Sequence, residues 1–163
     1  MLKYLPSHVK TVFVKPIEET MLQIPLTGCR YNCPHCDMKE LRFDSGDELT
    51  VERLESLVIK NPTITCVCFI GGNTSQKEIK QLNTRAMRLK KKFPALKIAF
   101  YTGELIIPLT LSWEVFDYVK VGPPIPGKPL TSPTTNQVFY EIVPLAKRRP
   151  ISITYKFWKK HED

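Results

Sequence analysis

The chain has 163 residues, which suffice for one domain of ordinary size, and we expect a single domain over residues 1–163. With 42% hydrophobic and 25% charged residues, the composition is typical of a globular protein and excludes a largely disordered chain. The net charge of +8 is compatible with an anionic partner. Because no basic stripe is interleaved with aromatic residues, we expect no nucleic-acid partner.

The apolar runs are all shorter than the roughly 20 residues that cross a bilayer, so we expect no membrane association. Residues 1–15 mix lysines among apolar residues and lack the apolar core of a secretory signal peptide. These observations predict a cytoplasmic protein. In that compartment, clustered cysteines more often bind metal or carry out redox chemistry than form disulfides.

Strand and helix patterns alternate along the chain. Thr50 is a plausible N-cap for a helix that continues to residue 61, and Ser75 with Glu78 forms a capping box that opens a second helix. The apolar run 64–70 is typical of a strand buried on both faces. Further strands are predicted at 21–26, 96–101, 118–121, 138–143 and 151–157, and a short helix at 111–116.

This alternation predicts an α/β fold with a mostly parallel sheet. A complete (β/α)8 barrel takes about 250 residues, so a partial, laterally open (β/α) barrel fits the length better. In such folds the chemistry lies at the carboxyl ends of the strands. Each of four predicted strands is followed at its carboxyl end by a distinctive segment. These segments are residues 29–36, 71–73, 102–103 and 122–123.

The first of these segments has the spacing C-x3-C-x2-C, formed by Cys29, Cys33 and Cys36. Three thiolates in one loop can hold three corners of a 4Fe–4S cluster and leave the fourth iron open. An open coordination position is what a catalytic metal needs. We therefore favour a catalytic iron–sulfur cluster held by these three cysteines.

Three other interpretations of the cysteines stay open. A structural zinc site would need a fourth ligand, and His35 is poorly placed beside Cys36. A closed, ferredoxin-like cluster could take Cys66 or Cys68 as its fourth ligand, although both cysteines also suit a buried core strand. A redox pair of Cys33 and Cys36 would leave Cys29 unexplained.

Several motifs together resemble the radical SAM superfamily and, within it, the activating proteins of anaerobic ribonucleoside-triphosphate reductase. They are TGCRYNCPHCDMKEL at 27–41, FDSG at 43–46, FIGGN at 69–73, YTGE at 101–104, FDYVKVGP at 116–123 and SPTTNQVFYEI at 132–142. The resemblance implies a radical SAM oxidoreductase that cleaves S-adenosylmethionine at a 4Fe–4S cluster. It also implies two partners, the reductase large subunit, on which a glycyl radical is formed, and an external electron donor such as a flavodoxin.

The resemblance also implies residues that contact S-adenosylmethionine. The loop around His35 and Asp37 would pass the adenine, and Gly71 and Gly72 would let the backbone approach the methionine part, because glycine has no Cβ. Thr102 would contact the cofactor from the third strand. Asn73 stands where the superfamily commonly has an acidic residue, and its amide oxygen can still accept a hydrogen bond from an ammonium.

Alternative functions follow from the same motifs. The chain could activate another glycyl-radical enzyme or act on a small molecule, and a closed cluster would make it an electron-transfer module. The Pro- and Gly-rich stretch 122–137 is predicted to be an ordered loop. We interpret its residues Thr134, Thr135, Asn136 and Gln137 as part of the mouth through which the partner's glycine loop enters.

Overall fold

The computed structural model of the protein describes residues 2–28, 46–71, 75–144 and 148–159. The helices are α1 (Val51–Lys60) and α2 (Gln76–Lys92). The strands are β1 (Lys3–Tyr4), β2 (Lys10–Val14), β3 (Glu19–Pro25), β4 (Asp47–Glu48), β5 (Cys66–Ile70), β6 (Lys97–Tyr101), β7 (Tyr118–Val121), β8 (Val138–Pro144) and β9 (Arg148–Ser152). β1 and β4 form a two-stranded sheet, and the others form a seven-stranded sheet in the order β2-β3-β5-β6-β7-β8-β9.

The centre of the large sheet consists of the four parallel strands β3, β5, β6 and β7. The strands outside them, β2 on one side and β8 and β9 on the other, pair in antiparallel fashion. The sheet is therefore mixed, with the expected parallel arrangement at its centre. Cys66, Val67, Cys68 and Phe69 are all fully buried, as expected for a central strand that is covered on both faces. The partial barrel stays a prediction.

Both helices begin where the capping residues predict. The hydroxyl oxygen of Thr50 accepts a hydrogen bond from the Arg53 N–H (3.1 Å), and that of Ser75 accepts one from the Glu78 N–H (3.3 Å). Each such cap stabilises its helix by about 1 kcal/mol. The apolar stripe of α2 faces the core, where it buries Ile79, Leu82, Ala86 and Leu89.

The two faces of the large sheet are covered differently. On one, the helix face, α1 and α2 pack against Leu22, Val67, Phe69, Ile98 and Phe100. The opposite one, the second face, carries the alternate residues of the same strands, among them Met21, Cys66, Cys68, Ala99, Tyr118 and Phe139. The 3-10 helix Thr154–Phe157 packs on the second face, where the ring centroids of Phe157 and Phe139 are 4.5 Å apart.

Asp117 connects several elements immediately before β7. Its Oδ2 accepts hydrogen bonds from Lys90 Nζ of α2 (2.7 Å) and from the backbone N–H of Ile98 of β6 (3.0 Å). Its Oδ1 lies 3.4 Å from a guanidinium nitrogen of Arg148, the first residue of β9. The side chain is only 18% exposed, so water cannot readily replace these partners.

The structure differs from the sequence-based predictions at two places. Residues 111–116 form a turn and not a helix, because neighbouring elements hold both ends: the Ser112 N–H donates to Asn83 Oδ1 (3.0 Å) and the Asp117 N–H to the Ile98 carbonyl (2.7 Å). The predicted strand 151–157 is divided between β9, which ends at Ser152, and the 3-10 helix. Within the described ranges, no helix combines the length and the apolarity that crossing a bilayer requires.

Candidate functional site

The carboxyl ends of the four parallel strands lie along one edge of the sheet, which we call the carboxyl edge (residues 26–28, 71, 102 and 122). Three backbone hydrogen bonds extend the pairing past the strand ends: Leu26 N–H to Ile70 O (2.6 Å), Gly71 N–H to Tyr101 O (3.1 Å) and Thr102 N–H to Lys120 O (2.9 Å). The segments that follow the strands therefore start side by side. Parallel α/β folds place their binding sites at this edge.

Most of the predicted site residues lie outside the described part of the chain: Cys29, Cys33, Cys36, His35, Asp37, Gly72 and Asn73. The described chain reaches the carboxyl edge at Thr27 and Gly28, immediately before Cys29. Thr27 is buried, and its N–H donates to the Lys3 carbonyl (3.0 Å). Gly28 has φ of +82°, a left-handed conformation that glycine adopts without steric cost.

The structure brings together the two predicted site residues that it describes. Gly71 follows β5 and Thr102 follows β6, and both are buried on neighbouring strands of the carboxyl edge. The Gly71 N–H donates to the Tyr101 carbonyl, so the carbonyl of Gly71 is the group that can bind a ligand. Because glycine has no side chain, a ligand can also approach this backbone closely. The hydroxyl oxygen of Thr102 accepts a hydrogen bond from the Glu104 N–H (3.1 Å).

A cavity of about 340 Å³ opens beside Thr102. Ser75 and Gln76, at the start of α2, form part of one wall, and the segment 104–110 contributes the other. This segment exposes Leu109 almost completely, at 93% of its surface. The volume is within the range of small-molecule sites, so a ligand at the carboxyl edge has room to extend between α2 and this segment.

Lys120 of β7 lies beside this edge and was missed by sequence reasoning. It pairs with Tyr101 and Phe139, which places it on the second face, and its Nζ is 4.3 Å from the ring centroid of Tyr101. The side chain is half-buried, and burial lowers the pKa of the ammonium group. A lysine between two valines of an apolar strand is a signal that could have identified it.

The loop 122–137 is held by its own hydrogen bonds. Asn136 Nδ2 donates to the Pro123 carbonyl (2.8 Å), and Thr135 Oγ1 donates to the Lys128 carbonyl (3.2 Å). The hydroxyl of Thr134 pairs with that of Ser132 (2.9 Å). The Gln137 N–H donates to Thr135 Oγ1 (3.1 Å), so all four residues that we interpret as the entry for the partner's glycine loop contribute to the conformation of the loop.

Cys66 and Cys68 are both fully buried on the second face and form no disulfide. Cys66 precedes Gly71 by five residues, which places it roughly 16 Å from the carboxyl edge at the usual rise of a strand. Burial raises the pKa of both thiols, as expected for cysteines packed in an apolar core. The interpretation of these two cysteines as buried core residues is confirmed.

We expect Cys66 and Cys68 to resist alkylation in the folded protein, because their raised pKa keeps them protonated and only thiolates react. At about pH 8, near the ordinary thiol pKa, iodoacetamide should label them roughly 100-fold more slowly in the native than in the denatured chain. Mass spectrometry of the tryptic peptides separates these cysteines from the others. Equal rates in both states would contradict their burial.

The family model described as a 4Fe-4S single cluster domain matches residues 20–139, about three quarters of the chain. The chain belongs to this family. No curated protein and no solved structure matches it. Membership of this family assigns the protein a 4Fe–4S cluster as its cofactor. Such a cluster is consistent with redox chemistry.

The range matched to the 4Fe-4S single cluster domain runs from β3 into β8 and so contains the four parallel strands and the carboxyl edge. It also contains Cys29, Cys33 and Cys36, which supply the soft thiolate donors that such a cluster takes. In the part of the chain that the structure describes, no group of three or more His, Cys, Asp and Glu side chains is placed to hold a metal ion.

Proposed function

We propose that the protein is a radical SAM activating enzyme in which Cys29, Cys33 and Cys36 bind a 4Fe–4S cluster with one open iron. The arrangement of the carboxyl edge supports this proposal. Gly28, Gly71 and Thr102 lie there on neighbouring strands, and the three-cysteine segment follows Gly28 directly. We also propose that the mixed sheet is part of a laterally open (β/α) barrel.

When bound, the reduced cluster supplies the electron that splits S-adenosylmethionine into methionine and a 5′-deoxyadenosyl radical. The protein's own residues bind and orient this substrate. In the proposal, Gly71 and Gly72 let the backbone approach the methionine part, and Asn73 accepts a hydrogen bond from its ammonium group. The loop around His35 and Asp37 passes the adenine, and Thr102 contacts the cofactor from its own strand end.

The closed-cluster alternative requires a fourth thiolate, and Cys66 and Cys68 are poor candidates for it. Both are fully buried in the core of the second face, and Cys66 lies at the far end of β5 from the carboxyl edge. This observation favours a cluster with an open iron over an electron-transfer module.

The proposed substrate is a glycine residue of the large subunit of anaerobic ribonucleoside-triphosphate reductase. The sequence motifs support this choice, and the surface beside the site agrees with it. The segment 104–110 borders the carboxyl edge and exposes Leu105, Ile106 and Leu109, a surface on which a peptide could pack.

The test uses anaerobically reconstituted protein, with dithionite in place of a physiological electron donor such as a flavodoxin. With S-adenosylmethionine alone, we expect methionine and 5′-deoxyadenosine in equal amounts, measured by liquid chromatography and mass spectrometry. With the reductase large subunit added, we expect the electron paramagnetic resonance doublet of a glycyl radical. A large subunit whose radical glycine is replaced by alanine is the matched control.

Each negative result has its own meaning. Full cluster loading without 5′-deoxyadenosine would contradict the radical SAM assignment and favour an electron-transfer module. Formation of 5′-deoxyadenosine without a glycyl radical would retain the radical SAM chemistry. The substrate would then be another glycyl-radical enzyme or a small molecule.

A further inference from the structure

A cavity of about 540 Å³ lies at the opposite end of the parallel strands from the carboxyl edge. One wall is the end of α1 with the segment 61–65 before β5, and the other is the end of α2 with the segment 93–96 before β6. We call this cavity the amino-edge groove, and its apolar lining consists of Val58, Ile59, Pro62, Ile64, Phe93 and Leu96. Thr65 in its wall precedes Gly71 by six residues, roughly 20 Å at the usual rise of a strand, so an occupant leaves the carboxyl edge free.

Hydrogen bonds and an ion pair fix the shape of the amino-edge groove. At the end of α1, Asn61 Nδ2 donates to the Leu57 carbonyl (2.7 Å), and the Ile64 N–H donates to the Asn61 carbonyl (3.3 Å). Lys92 Nζ of α2 lies 2.9 Å from Glu55 Oε2 of α1, so this ion pair connects the two helices that form the walls. A groove that already has its final shape loses little conformational entropy when a ligand binds.

The amino-edge groove exposes apolar surface to solvent. Ile59 is 61% exposed, and Ile64 and Phe93 are partly buried against the core of the helix face. Pro94 and Ala95, which also line the groove, are exposed. An exposed apolar patch with polar surroundings is typical of a surface that binds another protein.

The surroundings of the groove are positively charged. Lys60 ends α1, Lys91 and Lys92 end α2, and all three are exposed. Lys92 pairs with Glu55, whereas Lys60 and Lys91 form no ion pair within the described ranges. Cations in the last turn also suit the helix dipole, but the dipole does not account for the apolar lining between them. Lining and charge together fit an acidic segment that carries a large apolar side chain.

We propose that the amino-edge groove is a docking site for an acidic segment of a partner protein. One large apolar side chain of that segment packs against Ile59 and Phe93, and neighbouring carboxylates lie close to Lys60 and Lys91. Burial of the apolar side chain provides most of the affinity, whereas the lysines select acidic sequences and accelerate the encounter. The net charge of +8 favours the same class of partner.

The test selects peptides that bind the reconstituted holoprotein from a phage-displayed library of random dodecapeptides. We expect the enriched peptides to combine Asp or Glu with one large apolar residue and to bind with a Kd on the order of micromolar, measured by fluorescence anisotropy. Ile59→Asp should weaken the binding of such a peptide about 10- to 100-fold, because it removes an apolar contact and repels the peptide's carboxylates. The fold tolerates this change because the side chain is mostly exposed.

A second variant tests the charges separately. Lys60→Gln combined with Lys91→Gln should weaken peptide binding about tenfold and make it less sensitive to salt. Met87→Asp and Lys80→Gln, at exposed positions of α2 outside the groove, are the matched controls and should bind the peptide like the wild type. The Ile59→Asp variant and the double lysine variant should both keep their iron content and their formation of 5′-deoxyadenosine, which depend on the opposite end of the strands.

Three results would overturn the inference and leave the proposed function intact. The first is a library that yields no binder, or binders without acidic residues. The second is a selected peptide whose affinity is unchanged in Ile59→Asp and in the double lysine variant. The third is a wild-type dimer in sedimentation that Ile59→Asp dissociates, which would assign the groove to a second copy of the chain. Loss of S-adenosylmethionine cleavage with intact peptide binding would reject the proposed function alone.

Discussion

Replacing Cys33 with alanine should abolish the iron–sulfur cluster and all cleavage of S-adenosylmethionine, whereas Cys68→Ala should retain both. A cube held by three thiolates loses an essential corner with any one of them, so Cys29→Ala and Cys36→Ala should behave in the same way. After anaerobic reconstitution, iron and sulfide analysis should give about four irons per chain for the wild type and for Cys68→Ala. The formation of 5′-deoxyadenosine is the matching assay of activity.

The structure provides the control for this experiment. Cys68 is a cysteine of the same chain, but it is fully buried in the core of the second face. Its truncation removes one sulfur atom from a packed interior and should lower the free energy of unfolding by about 1–2 kcal/mol, which a folded domain tolerates. If Cys68→Ala or Cys66→Ala lost the cluster while remaining folded, the model of an open iron would be wrong.

Asp117→Ala should lower the free energy of unfolding by about 3–5 kcal/mol, because it removes the carboxylate that balances two partly buried cations and accepts from a backbone donor. Lys90, Arg148 and the Ile98 N–H all lose their shared partner, and these three groups belong to α2, β9 and β6. Urea denaturation followed by circular dichroism measures the change. A loss of this size is a large share of the roughly 5–15 kcal/mol that stabilises an ordinary domain.

Asp47→Ala is the matched control for Asp117→Ala. Asp47 also accepts from a cation at short distance, with Arg53 at 2.9 Å, but the two side chains are 55% and 47% exposed. Water replaces an exposed partner, so the expected loss is within about 1 kcal/mol. Similar small effects for both variants would show that burial does not strengthen the Asp117 network.

The parts of the fold that depend on local chemistry could be predicted from the sequence. Thr50 and Ser75 could be identified as N-caps because their hydroxyl oxygens accept hydrogen bonds from backbone N–H groups only three residues along the chain. The apolar run ending at Ile70 marked a central strand because both faces of that strand are covered. With these strands placed, the rule that parallel strands share one carboxyl edge was enough to bring Gly71 and Thr102 together.

Features set by distant contacts could not be predicted. The segment 111–116 was predicted to be a short helix, yet Asn83 and Ile98 hold its two ends from other elements. The edge strand β2 was missed because its consecutive apolar residues Val12, Phe13 and Val14 lack the alternation of a half-buried strand. Lys120 and Phe139 are 19 residues apart in the chain, and only the register of β7 with β8 shows that they are neighbours.

The antiparallel strands at the two borders of the large sheet bear on how copies of the protein behave at high concentration. A bare border strand offers a row of unpaired amides to which another molecule can add a strand, and this is how aggregation often starts. In β9, Pro150 lacks an N–H and the exposed Arg149 adds charge, so the row of donors is interrupted. In β2, exposed Lys10 begins the strand and Pro16 follows it closely. The parallel strands that carry the site are thus shielded from intermolecular pairing by border strands that are themselves poor templates for it.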